Sequence, residues 1–270
     1  MHLRAAEWAD IPRITDITLA AFNNDELNTW LFTRGNEMPY TRRSVSNRRV
    51  RSLLLSPGVT AFVTVTDEQD PPAWPRDVVV GYACWERAGE HKQPSSETSS
   101  GYLAALERKL LGLEKSYVKF SHTDQCVDRQ RFTIFNKENE LLGDIFAPLK
   151  EYRKLEILAV DPAWQGKGVA KRLMQWAFDR CKEEAVPIIL IASVAGRPLY
   201  KALGFKVVGW AVTESSSSWA EGGSIMVWDP TGTLTREAVR EETERMYYGR
   251  ARKIDAVYTP ADRLGHSSPE

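Results

Sequence analysis

The stretch from Leu155 to Met174 constrains this chain more than any other. It reads Leu-Glu-Ile-Leu-Ala-Val-Asp-Pro-Ala-Trp-Gln-Gly-Lys-Gly-Val-Ala-Lys-Arg-Leu-Met. Leu155 to Val160 predicts a strand. Gly166 to Glu184 predicts a helix with Val169, Leu173, Trp176, Ala177 and Cys181 on one face. The continuously apolar Ile188-Ile189-Leu190-Ile191 predicts a buried strand after it. Where a strand turns through glycines into a helix, the first N–H groups of the helix have no partner inside it. The helix dipole adds partial positive charge there, and such a junction suits a pyrophosphate. Gly166 and Gly168 let phosphate oxygens approach the main chain with no Cβ in the way.

Three nucleotide-type readings compete for this loop. A Walker-type loop requires Gly-Lys-Ser/Thr, and Gly168 is followed by Val169. A dinucleotide fingerprint requires a third glycine, and Lys171 stands there instead. Coenzyme A is the third. The string Gln165-Gly-Lys-Gly168-Val-Ala170 resembles the signature of the GNAT (general-control-type N-acetyltransferase) superfamily, Gln/Arg-x-x-Gly-x-Gly/Ala after a strand. Leu158-Ala-Val-Asp-Pro162 is similar to the strand ending of that family. A second element, Ser193-Val-Ala-Gly-Arg-Pro-Leu-Tyr200-Lys-Ala-Leu-Gly-Phe205, resembles its Tyr, short spacer and Gly-Phe.

The resemblance implies an α/β fold, with a mixed, mostly antiparallel sheet flanked by helices and splayed where the cofactor enters. It implies that the backbone of Leu158, Ala159 and Val160 pairs with the pantetheine arm of acetyl-CoA, and that one N–H there polarises the thioester carbonyl. Gln165, Gly166, Lys167, Gly168, Val169 and Ala170 would cradle the pyrophosphate. Ser193 stands where many members carry an Asn that contacts the cofactor, a departure from the pattern. Tyr200 would be the general acid. Coenzyme A leaves as a thiolate, a free thiol titrates near ~8.5 and Tyr near ~10, so a phenol at the sulfur can donate its proton as charge builds.

The acceptor amine must be neutral to attack. Glu156 is the candidate base, because strict strand alternation gives it a face shared with Leu158 and Val160. Tyr200 has a second reading as a core aromatic, and Glu156 as an ion-pair partner of Lys154 or Arg153. Trp164 either packs or borders the cofactor mouth. No Cys or Ser is placed as an obvious acyl carrier, so direct attack in a ternary complex is expected. The function expected is acetyl transfer to an amine on a small molecule. The alternatives are a protein acetyltransferase and a non-catalytic acyl-CoA-binding module.

The rest of the chain sets the frame. Leu3 to Ala5 predicts a strand, with Asp10 as N-cap of a following helix that has Pro12 in its first turn. Helix is predicted from Thr41 to Leu55, strands over Val59 to Thr66 and Val78 to Trp85, then a polar, Ser-rich connection from Glu90 to Ser100. Leu103, Leu106, Leu110, Leu113 and Tyr117 fall at helical spacing, and a second helix is predicted over Asp124 to Phe146. Residues 90–152 are read as a helical insertion within one acetyltransferase-type domain over 1–230. A short helix over Arg197 to Leu203, strands over Phe205 to Val212 and Ser224 to Trp228, and a C-terminal helix and loose tail over 231–270 complete the chain.

Composition excludes other classes. Lys plus Arg and Asp plus Glu both number 36, which gives no net basic field for nucleic acid or anionic membrane. The local run Arg42, Arg43, Arg48, Arg49, Arg51 is read as a solvated face. The three cysteines form no CxxC pair, against a disulfide framework or a zinc site. No metal is expected. No apolar run nears the ~20 residues a bilayer requires, and with no signal-like N-terminus a cytoplasmic location is expected.

Overall fold

The computed structural model describes residues 1–89, 101–146, 151–210 and 223–232. The expectations for the Ser-rich connection and for the C-terminal helix and tail lie outside them. The described strands are β1 (His2–Ala5), β2 (Val59–Val65), β3 (Val79–Gly89), β4 (Glu151–Val160), β5 (Ile188–Ala192), β6 (Lys206–Trp210) and β7 (Ser224–Trp228). The helices are α1 (Ile11–Ala21), α2 (Glu26–Leu31), α3 (Pro39–Leu54), α4 (Tyr102–Ser121), α5 (Arg129–Phe146), α6 (Val169–Glu184) and α7 (Arg197–Ala202).

The strands form one seven-stranded sheet in the order β1-β2-β3-β4-β5-β7-β6. All neighbours are antiparallel except β4 and β5, which run parallel. That parallel pair is short. Only Arg153 with Ile188 and Lys154 with Ile189 are in register. From Leu155 to Val160, β4 keeps its β3 partner but has no ladder to β5. The sheet is therefore split between Leu158–Val160 and the C-terminal end of β5.

Each face of the sheet is covered by its own helices. On one face α6 lays Leu173, Met174, Ala177, Phe178 and Cys181 against Val80, Ala83, Trp85, Leu155, Val160, Ile188 and Leu190. Tyr200 and Phe205 join the same cluster. On the other face Ile14 and Ile17 of α1 and Val50 and Leu54 of α3 pack on Val63, Tyr82, Cys84 and Ala159. α5 begins beside α2 and α3, where Phe132 and Phe135 pack around Leu31, Phe32 and Val45. It ends with Phe146 against Tyr152, Ile189, Ile225 and Val227. Both ends lie on the face that carries α1 and α3, and the second covers the end of the sheet where β4 and β5 are still paired.

Several sequence expectations shift for identifiable reasons. Asp10 does precede α1, but its carboxylate does not cap that helix; it takes N–H groups from Arg4 at 2.7 and 2.8 Å and from the Glu7 backbone at 2.8 Å. α2 has no counterpart in the sequence reading; it is a six-residue helix capped by Asp25, whose side chain accepts from Asn28 N. α5 starts at Arg129 rather than Asp124, because Asp128 takes the Arg131 N–H and Cys126 is buried in the preceding turn. α6 starts at Val169, since Gly166 and Gly168 both have positive φ. The hairpin and β4 are longer than expected, pairing as far as Gly89 with Glu151. β6 begins one residue late, and α7, β5 and β7 fall where periodicity puts them.

Candidate active site

The loop between β4 and α6 is fixed from both ends. Asp161 N–H donates to Val80 O at 3.0 Å, and the Asp161 carboxylate accepts from Ala163 N at 2.9 Å and from Arg13 of α1 at 2.6 Å. Pro162 then enters a 3-10 turn over Pro162–Trp164. The Gln165 side-chain amide reaches back to Val160 O at 3.3 Å. Trp164 packs edge-on against Trp74, 4.9 Å between ring centroids, and the Lys167 ammonium lies over both rings while donating to Ala163 O at 2.5 Å. Trp164 is thus a packing residue that also holds Lys167.

Beyond these anchors the loop opens. Gly166 and Gly168 have φ of 74° and 80°, a region L side chains rarely adopt. A Cβ built on either would meet nothing within 4 Å. Among the described residues no backbone carbonyl accepts the N–H groups of Gly166, Lys167, Gly168, Val169 or Ala170, and the first helical bond is Arg172 N to Gly168 O. Consecutive free N–H groups at the start of a 16-residue helix are an anion cradle. Gly81 on β3 completes the arrangement from below. A Cβ there would stand 2.7 Å from Val169 Cγ1 and 3.1 Å from Ala159 O, so only glycine lets α6 sit this close to β3.

Leu158, Ala159 and Val160 lie on β4 beside the split. Ser193 follows β5 across it, and its hydroxyl accepts from Gly196 N at 3.2 Å, where it shapes the start of α7. Tyr200 on α7 is 8% exposed, with Phe205 edge-on at 5.7 Å and Gly196 against its ring. Burial pushes its phenol well above the ordinary value. A phenol is protonated at neutral pH with or without this shift, which makes the proton harder to give up.

Glu156 departs from expectation. β4 carries a bulge, in which Cys84 pairs with Ile157 and Trp85 with Leu155, leaving Glu156 without a partner on β3. The bulge breaks the alternation that joined Glu156 to Leu158 and Val160. Those two pack toward α6, whereas Glu156 pairs with Lys154 at 2.7 Å and acts electrostatically on Cys84, whose side chain packs toward α1 and α3. The carboxylate thus stands on the α1–α3 face of β4, away from α6. Sequence alternation could not show this, because a bulge is a property of the pairing. Among the described residues no cluster of His, Cys, Asp and Glu could hold a metal, and no helix is long and apolar enough to cross a membrane.

Residues 114–219 match the family model described as acetyltransferase (GNAT) domain. An uncharacterised N-acetyltransferase of Schizosaccharomyces pombe is 24% identical over 242 residues, covering 87% of this chain and 94% of that protein. An acetyltransferase of Stachybotrys chartarum is 23% identical over 207 residues, covering 77% and 81%. A solved structure from Corynebacterium glutamicum, described as histone acetyltransferase HPA2 and related acetyltransferase, superposes with a TM-score of 0.52 at 17% identity, over 86% of this chain and 98% of that one. At that identity the likeness concerns the fold.

Proposed function

We propose that this chain, whose residues 114–219 match the acetyltransferase (GNAT) domain model, is an acyl-CoA-dependent acetyltransferase of that superfamily and moves acetyl from acetyl-CoA to the amine of a small molecule. The observation that carries the reading is the open cradle of free N–H groups at Gly166–Ala170, set beside a sheet split at Leu158–Val160. The pyrophosphate would lie on the cradle, and the pantetheine arm would run along the unpaired edge of β4 as an added strand. The amine attacks the thioester carbon, a backbone N–H of β4 stabilises the oxyanion, and the C–S bond breaks. Tyr200 gives its proton to the leaving sulfur. Glu156, on the α1–α3 face, takes the proton from the amine directly or through water.

The small acceptor is favoured by α5, whose ends pack on α2–α3 and on β4, β5 and β7. A helix laid over that face would narrow the groove a polypeptide needs. Release of free thiol from acetyl-CoA across a panel of small amines and a lysine-bearing peptide tests the reading. Turnover of small amines is expected. Preference for the peptide would overturn the acceptor class, and binding of acetyl-CoA with no thiol release from any amine would leave a binding module.

A further inference from the structure

The fold divides the arginine run of α3 into four partnered residues and one left over. Arg42 donates to Asn23 and Asn36, Arg43 pairs with Asp16, Arg48 with Glu114 and Asp124, and Arg51 with Glu107 and Glu114. Arg49 has no carboxylate or carbonyl partner among the described residues; its guanidinium lies 6.0 Å over the Phe132 ring of α5. The side chain is exposed, yet the surrounding chain desolvates the guanidinium enough to lower its pKa, against the pull of the Tyr82 phenol. The guanidinium thus stands at the junction of α3 and α5, in reach of water.

Arg49 stands on α3 between Val45, which packs in the cluster of Phe132, and Val50, which packs in the cluster of Tyr82 and Cys84, on the face assigned to the acceptor. Tyr82 is paired with Ala159, one strand from the proposed thioester position. A crowded cation without a counter-ion is costly. The ring of Phe132 steadies the guanidinium and leaves its edge N–H groups to an oxyanion, two of whose oxygens they bind as a fork. We propose that Arg49 anchors an anionic oxygen acid, a carboxylate or a phosphate, carried by the acceptor, which is therefore an amine bearing such a group. This deepens the acetyl-transfer reading and rests on it.

Matched amines test the anchor with the full chain at saturating acetyl-CoA. Suitable pairs are phenylalanine with 2-phenylethylamine, lysine with its decarboxylated diamine, and phosphoethanolamine with ethanolamine. The anion-bearing member of at least one pair is expected to have the larger kcat/KM by about tenfold or more. Which pair responds separates carboxylate from phosphate. Arg49→Gln should erase the preference through acceptor KM, leaving KM for acetyl-CoA unchanged, and Arg49→Lys should keep part of it. Turnover of neutral members alone, a preference that survives Arg49→Gln, or a raised KM for acetyl-CoA in that variant overturns the anchor while acetyl transfer stands. No thiol release from any member removes both.

A separate observation concerns α4. Leu103, Leu106, Leu110, Leu113, Tyr117 and Phe120 follow in steps of three and four, the spacing of a coiled-coil seam. All are exposed, from 44% at Leu106 to 86% at Phe120. The contact of α4 with α3 uses other positions: Ala104 and Leu111 meet Leu55, and Glu107 and Glu114 meet Arg51. The seam is self-complementary. Run antiparallel about a twofold axis between residues 111 and 112, Leu103 meets Phe120 of the second copy, Leu106 meets Tyr117, and Leu110 meets Leu113. Lys109 then falls beside Ser116 rather than another lysine. A stable interface buries on the order of 800 Å² per partner, and six large side chains exposed to this degree supply an area of that order.

We infer that α4 pairs with α4 of a second copy. Sedimentation of the full chain over a concentration series should show a dimer. Leu110→Asp should give a monomer with unchanged helical circular dichroism and unchanged acetyl-transfer kinetics. A chain that stays monomeric at every concentration, or a dimer that survives Leu110→Asp and Leu113→Asp together, overturns the pairing.

Discussion

The two faces of the sheet hold their chemistry in different parts of the chain. On the α6 face it would belong mostly to the main chain, with free N–H groups from Gly166 to Ala170, two glycines with positive φ and the unpaired edge of β4, and Tyr200 is the one side chain proposed to act there. On the opposite face it belongs to side chains from separate segments, Arg49 on α3, Tyr82 on β3, Phe132 on α5 and Glu156 on β4. A backbone site is dictated by a few consecutive residues, whereas a side-chain site is assembled by tertiary packing. On the proposed reading, the first face would hold the cofactor and the second would choose the acceptor.

The sharpest way to break this division is Tyr200→Phe, which keeps the ring and its contact with Phe205. Loss of a general acid costs about 10²–10⁴-fold. We expect kcat to fall in that range with KM for acetyl-CoA unchanged. A kcat close to the parent, with chemistry rate-limiting, would return Tyr200 to the core. Next is Gly168→Asp. The fold has room for a Cβ there, but φ of 80° is strained and the carboxylate would occupy the cradle. Coenzyme A affinity by calorimetric titration should weaken about 100-fold, the equivalent of roughly 3 kcal/mol, with the melting temperature little changed.

Gly81→Ala probes how the two faces are joined. The added carbon would stand 2.7 Å from Val169 Cγ1, and overpacking of this kind costs about 1–3 kcal/mol. Denaturant titration should show that loss, and acetyl-CoA binding should weaken with it as the start of α6 is pushed outward. Unchanged stability would mean that the helix can slide without cost. The smallest effect is expected at Glu156→Gln. Its pair with Lys154 is half-buried, so its contribution to stability is about 0–1 kcal/mol. As the base it should lower kcat/KM by about tenfold, less than the usual range for such a group because water can relay the proton. Full activity in this variant would leave Glu156 as an ion-pair residue alone.

What could be read from sequence follows the same division. The strand–loop–helix around Gly166 and Gly168 was legible because glycine positions, helix periodicity and an apolar strand agree locally. The order of strands and helices was legible for the same reason. α2 was not, since six residues carry too little periodicity to stand out. Asp10 has the right residue type and place for a cap, but Arg4, six residues away, outbids the helix for its carboxylate. Glu156 was placed on the wrong face because register along β3, not alternation along β4, decides where the bulge falls. The arginines of α3 looked alike in sequence, and only the positions of Asp16, Asp124, Glu107 and Glu114 set Arg49 apart.

The burial of Cys84, Cys126 and Cys181 has a practical consequence. Burial pushes the Cys181 thiol up to about 12 despite the nearby Arg153 and Arg87, and burial together with Glu156 pushes Cys84 up as well. Thiolate is the reactive form, so the folded chain should be silent toward a thiol-specific dye at neutral pH. The dye would then count only the coenzyme A set free, with no subtraction for the protein. Each molecule that unfolds reveals three thiols at once. In a sample without acetyl-CoA, the same colour becomes a tally of unfolded chains, and one reagent can time both the working life of the protein and its turnover.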